Sequence, residues 1–174
     1  MQVSKRTGVA ILSAAALAGS AATGVTAVAN DRTNSGHHHG DTAGGTVLNA
    51  TLAPSVPSNP SLHEVAPGMA PWVLNQGEVR LRRDGRLRVH VRGLVIPSPP
   101  GDGTPGPVMT VSASLYCGND TTAVGTTPPV PISRSGDARI DGQLSLPSKC
   151  LAPVVLVHPN GIATLYIAAS GFGA

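Results

Sequence analysis

Residues 77–93 read GEVRLRRDGRLRVHVRG and hold six of the chain's ten arginines. Val79, Leu81, Leu87, Val89 and Val91 are apolar, and Arg80, Arg82, Arg86, Arg88, His90 and Arg92 alternate with them. Strict alternation is the period of a half-buried strand, because successive side chains point to opposite faces. Asp84-Gly85 marks the turn between two such strands. A two-residue loop, Asp84-Gly85, would set Leu81 opposite Arg88 and mix the faces. A three-residue loop, Arg83-Asp84-Gly85, sets Leu81 opposite Leu87 and Val79 opposite Val89. It also puts Gly85 where a left-handed bulge residue is wanted. The three-residue loop is therefore the expected register. Beyond Gly93 the phase slips, since Leu94 and Ile96 take the arginine parity, and a bulge near Gly93 accounts for this.

That register places Arg80 against Arg88 and Arg82 against Arg86. Like charges directly opposite destabilise a sheet by roughly a few tenths of a kcal/mol or more. Glu78 opposite His90 relieves only one end. Thr, Ser or Glu would serve a solvated face with no task. One reading makes Arg80, Arg82, Arg86, Arg88 and Arg92 an anion-binding face for an anionic cell-wall polymer, an acidic glycan or an extracellular protein. Arginine recognises phosphate and carboxylate through paired hydrogen bonds. The other reading makes arginine the ordinary polar residue of a GC-rich genome, with long stems covering the sheet. Nucleic acid is not expected, because no aromatics interleave for base stacking and the chain reads as exported.

The export reading rests on residues 1–29. Lys5 and Arg6 form a positive start, residues 9–18 are apolar, and Ala27-Val28-Ala29 offers a small-x-small cleavage site before Asn30. This is the pattern of a secretory signal peptide. A membrane span needs roughly 20 apolar residues, more than this stretch has. No cysteine follows it, so no lipoprotein anchor is expected, and no membrane span is expected in the mature chain. Removing Lys5 and Arg6 takes the twelve basic residues to ten against nine acidic ones, a net charge of about +1. The basic precursor is thus no argument for a polyanion partner. Arginine outnumbers lysine ten to two, which with the signal points to a bacterium, and to an actinobacterium in particular.

The remaining 145 residues suffice for one domain. Four aromatics (Trp72, Tyr116, Tyr166 and Phe172) leave the core to Val, Leu, Ile and Ala. Each small side chain contributes less burial, so a covalent staple is useful. Cys117 and Cys150 are an even pair in an exported chain, and a disulfide is expected. It closes a loop of roughly 34 residues, which loop entropy values at about 3–4 kcal/mol.

Residues 30–45, NDRTNSGHHHGDTAGG, are nearly devoid of apolar side chains and read as a disordered arm. Residues 46–70 hold a possible first strand (46–52) and then a Pro-rich linker or a strand-like cover on a sheet edge. The compact domain is expected over 71–174. Within it, strands are expected over 73–82, 86–96, 108–117, 138–146 and 162–170, with a short edge strand at 122–124, an apolar run at 153–158, a Pro/Gly loop at 97–107 and a tight turn at 159–161. About seven short strands without a helical period indicate an all-β protein, a single β-sandwich of the immunoglobulin-like or Greek-key kind.

Other motifs carry less. His37, His38 and His39 are weak metal candidates, since a specific site needs ligands held by a second layer of contacts. His63-Glu64 starts no H-E-x-x-H motif, because Pro67 stands where the second histidine would be. His158 precedes a turn and reads as a surface residue. No nucleophile elbow, phosphate loop or paired-carboxylate motif is present, and no cofactor is expected.

The stretch GEVRLRRDGRLRVHVRGL resembles the opening hairpin of CHRD-type β domains, with its Asp-Gly turn, alternating strand and Gly-Leu end. That family often carries a His-x-His strand next, and here the comparable strand, VMTVSASLYCG, has Ser112 and Ser114 instead. More broadly, the chain resembles small secreted actinobacterial proteins. The resemblance implies a compartment and a β fold, and no activity. The expected function is a secreted, non-enzymatic protein acting at or outside the cell envelope, by binding or as a structural component. The alternatives are an inhibitor of an extracellular protease, presenting the 118–149 loop with Arg134 as a contact, and an extracellular hydrolase using His90 or His158.

Overall fold

The computed structural model describes residues 45–171. The expected signal peptide (1–29), the arm up to residue 44 and the triplet His37, His38 and His39 lie outside the described residues. Among the described residues the chain is all-β, with eleven strands and no helix.

The arginine hairpin forms β3 (Gln76–Arg82) and β4 (Arg86–Arg92). Its register is Val79↔Val89, Arg80↔Arg88 and Leu81↔Leu87, around the loop Arg83-Asp84-Gly85. The register follows from burial: Val79, Leu81, Leu87, Val89 and Val91 are all fully buried on one face. A slip by one residue would put them in water. Gly85 closes the loop at φ +85°. Its N–H donates to the Arg82 carbonyl at 2.9 Å and its carbonyl accepts from the Leu144 N–H at 2.9 Å. A Cβ there would collide with the Leu144 carbonyl. The phase slip is also present. Gly93 sits at φ +64°, and Leu94 and Ile96 are buried beyond it.

Two strands flank the hairpin. On the β4 side, β8 (Ala138–Gln143) pairs Arg88↔Asp141 and Val89↔Ile140. On the β3 side, β1 (Thr46–Pro54) pairs Asn49↔Arg80 and Thr51↔Glu78, with a bulge between Thr46 and Leu48. The end of β1 then turns to β11 (Ala168–Ser170), pairing Leu52↔Ser170. From β11 the ladder continues through β9 (Val154–Pro159) to β5 (Thr110–Tyr116), which carries the short β6 (Gly125–Thr126) and β7 (Val130–Pro131). The main sheet is thus continuous and antiparallel, in the order β6-β5-β9-β11-β1-β3-β4-β8, with β7 beside β5. A sandwich would have two separately bonded sheets, whereas here β1 serves both halves. The sheet curls so that its halves share one core, in which Leu81, Val89 and Ile140 pack with Val111, Leu115, Val157 and Trp72. At its ends Gly142 of β8 lies against the Thr127 methyl, just after β6.

Among the described residues the sheet already includes Thr46, well before Pro71. The first strand read at 46–52 is real and central, because it joins the two halves. Residues 55–70 are no linker. Their prolines limit ladder bonding but suit extended chain laid over a sheet. Within this segment β2 (Ala66–Pro67) pairs in parallel with β10 (Leu165–Tyr166). Val65 packs on Tyr116, Leu156, Tyr166 and Ala169 in a second apolar cluster. The Ser55 N–H donates to the Ile167 carbonyl at 2.9 Å and its hydroxyl to the Tyr166 carbonyl at 3.1 Å, which holds the cover down. The half made of β5, β9 and β11 is therefore buried on both faces. The opposite half, β1-β3-β4-β8, keeps one face in water.

Cys117 and Cys150 form the expected disulfide, with Cα atoms 5.0 Å apart. It ties the end of β5 to the segment entering β9. The 118–149 segment between them is not one exposed loop, since it contains β6, β7 and β8.

Candidate functional site

The water-facing side of β1-β3-β4-β8 is a grid of polar side chains set by strand alternation. The pairings give one row of Asn49, Arg80, Arg88 and Asp141, and a second of Thr51, Glu78, His90 and Arg139. Arg82, Arg86 and Gln143 extend the grid at the hairpin end, and Arg92 at the other. All five arginines expected on this face are brought together there and are exposed.

Alternation with a buried core fixes where each guanidinium leaves the sheet, and the flanking strands hold it. Arg80 donates from Nε to the Asn49 side-chain oxygen at 3.3 Å. Arg88 Nε lies 3.3 Å from Asp141 Oδ1, and Arg139 Nε donates to Asp141 Oδ2 at 2.8 Å. One carboxylate is thus shared by two arginines. Arg82 Nε is 3.8 Å from Asp84. In Arg80 and Arg88 these contacts engage Nε, and the terminal nitrogens carry most of the five N–H donors of a guanidinium. The Arg88 and Asp141 side chains are about half exposed, at 56% and 50%. Pairs that open contribute about 0–1 kcal/mol, so they orient the arginines without burying their charge.

Four shallow depressions share these side chains, one of them beside Asn49, Thr51, Glu78 and Arg80. One of about 240 Å³ is lined by Thr46 with Arg80, Arg82, Arg86 and Arg88. Its neighbour, of about 230 Å³, is lined by Glu78, Arg80, Arg88, Val89, His90 and Arg139. The last is lined by Arg86, Arg88, Arg139, Asp141, Gly142 and Gln143. Four arginines around one open depression form an anion cradle without water exclusion.

Arg92 stands beside a different carboxylate. Asp137 accepts from the Ser135 hydroxyl at 2.8 Å and the Gly93 N–H at 3.0 Å. These two bonds, with smaller help from the charges of Arg92 and His90, hold its carboxyl below the usual range. Arg92 does not line the four-arginine depression, so the cradle proper is Arg80, Arg82, Arg86 and Arg88.

Arg139, Asp141, Asn49 and Gln143 escaped the sequence reading. The alternation in residues 138–146 marked Arg139, Asp141 and Gln143 as outward-facing, but nothing local told which strand β8 would join. The other candidates are dispersed. Arg134 is exposed on a tight 133–137 turn, closed by the Ser133 N–H to the Asp137 carbonyl at 2.9 Å and by the Ser133 and Ser135 hydroxyls. That turn is not an extended segment of the kind a protease cleft accepts. His158 is fully buried, not a surface residue, because residues 160–166 fold back over β9. Its Nδ1–H donates to the Leu165 carbonyl at 2.7 Å, and its Nε2 has no partner. Burial pulls its pKa down, with the Leu165 bond opposing. Ser112, the serine of the SAS strand, lies opposite His158 and is buried too. His90 is on the other half of the sheet, so the two histidines do not meet.

No family model matches the chain, and no curated protein or solved structure matches it either.

Proposed function

We propose that the protein is a secreted, non-enzymatic binding protein that holds an anionic polymer at or outside the cell envelope through the exposed face of β1-β3-β4-β8. The observation that carries this is the four-arginine depression of Arg80, Arg82, Arg86 and Arg88. Setting Arg80 against Arg88 carries an electrostatic cost, and a ligand anion removes it. Each guanidinium presents several donors in a fixed fork suited to oxyanions. The face is open and nearly flat, which suits a chain laid across it better than a small substrate, whose sites are concave. Export is supported by the N-terminal pattern and by the disulfide, which persists in oxidising compartments.

The test is a titration of the protein with a soluble polyanion, followed by amide NMR. Shift changes over residues 78–92 and 139–143 are expected, with none over the 133–137 turn. Changes centred on that turn or on residues 146–151, or no changes at low salt, would reject the assignment.

A further inference from the structure

The spacing and charge of the cradle say more about the ligand, on the premise that this face is the binding surface. The four arginines form two pairs. Arg80 and Arg88 face each other across the ladder, and Arg82 and Arg86 flank the loop at its end. Paired strands lie about 5 Å apart, and a two-residue step along a strand is about 7 Å. Two arginine pairs therefore stand about 7 Å apart along the hairpin axis.

Across the face the five arginines Arg80, Arg82, Arg86, Arg88 and Arg139 meet three carboxylates, Glu78, Asp84 and Asp141, which leaves a net charge of two. Asp141 is shared by Arg88 and Arg139, and Asp84 lies 3.8 Å from Arg82. The next row toward Gly93 sets Glu78 against His90, with Arg139 on the far side of His90. The grid therefore calls for two monoanionic groups rather than a continuous negative film. Two guanidinium groups on adjacent strands reach one anion from two sides. A carboxylate has coplanar oxygens that one guanidinium satisfies in a forked pair. The two free oxygens of a phosphodiester diverge, and each can meet a different arginine.

We propose that the ligand is a linear phosphodiester polymer of the polyol-phosphate type, lying along β3 and β4 with one phosphate per arginine pair. Asn49 and Asp141 act as positioning residues, holding Arg80 and Arg88 by Nε from the two flanking strands. Asp141 is the informative one, because it is a carboxylate on an anion-binding face. Simple charge attraction requires its removal to tighten binding. A positioning role requires its removal to weaken binding, although the face gains a positive charge.

The experiment measures binding of the full protein to poly(glycerol phosphate), inorganic polyphosphate and polygalacturonate of matched total charge, across a salt series. Polyphosphate crowds its phosphates one bridging oxygen apart, and polygalacturonate offers carboxylates. Poly(glycerol phosphate) is expected to bind tightest, with a log–log salt slope of about −1.4 for two phosphates. Arg80→Ser and Arg82→Ser should each reduce that slope to about −0.7. Asp141→Asn and Asn49→Ala should each weaken binding about threefold, with thermal midpoints within about 2 °C of the parent. Tighter binding by Asp141→Asn, or equal binding of the other two polymers, overturns this proposal and leaves polyanion binding standing. No binding of any polymer at low salt overturns both.

Discussion

Arg80 stands directly opposite Arg88 in the β3–β4 ladder, both exposed, with Asn49 on one side of the pair and Asp141 on the other. The pairing is enforced from beneath, where Val79 faces Val89 and Leu81 faces Leu87 in the core. The apolar face sets the register, and the arginines must accept it. A sheet selected for stability alone would carry Thr at one of the two positions. Arg80→Thr is therefore expected to raise stability by about 0.5 kcal/mol, seen as a thermal midpoint higher by about 1–2 °C, while weakening retention on envelopes. A lower midpoint would mean that Arg80 is held for structure.

Gly85 joins two requirements, a left-handed φ of +85° and close approach to the Leu144 carbonyl. Gly85→Ala meets both, and destabilisation by about 2 kcal/mol or more is expected. Urea denaturation measures it. Because the clash pushes the loop away from Leu144 and the end of β8, the variant should also lose part of its polyanion affinity.

The disulfide ties β5 to the entry of β9 across 33 residues of sequence separation. Replacing Cys117 and Cys150 together by Ser should cost about 3–4 kcal/mol, the loop-entropy value. The urea midpoint should fall while the arginine face, on the other half of the sheet, still binds when the variant is folded.

His158 makes stability depend on pH. Its folded-state pKa is lowered by burial from the ordinary 6.5, so the unfolded chain takes up its proton first as pH falls. The stabilising contribution is complete above pH 6.5 and declines below it, until the depressed pKa is passed. His158→Asn keeps a donor toward the Leu165 carbonyl and cannot titrate in this range. Parent stability is expected to drop between pH 7 and pH 5, and the Asn variant should show a flatter profile. Parallel profiles would place the acid sensitivity elsewhere.

The hairpin was legible in the sequence because three constraints agreed: alternation, an Asp-Gly turn and the need for one clean apolar face. The same logic found β5, β8, β9 and the slip at Gly93. It located the first strand but not its central place, since a ladder between β1 and β11 spans more than a hundred residues and leaves no local trace. The segment 55–70 read either as a linker or as a strand-like cover, because proline density suits both, and the structure places it as a cover. Its buried members are few, chiefly Ser55 and Val65. His158 was misplaced because a histidine just before a tight turn reads as solvent-facing unless the covering layer is known. The arginines of the site were legible one by one. Asn49 and Asp141, which flank them, were not, because strand neighbours distant in sequence are a property of topology.

The most direct measurement is co-sedimentation of the protein with isolated cell envelopes at low and high salt, beside a variant with Arg80, Arg82, Arg86 and Arg88 changed to Ser. The parent is expected to sediment at low salt and be released at high salt, and the variant to stay in the supernatant at both. Equal sedimentation of parent and variant, or none by either, would contradict the arginine face as the binding surface.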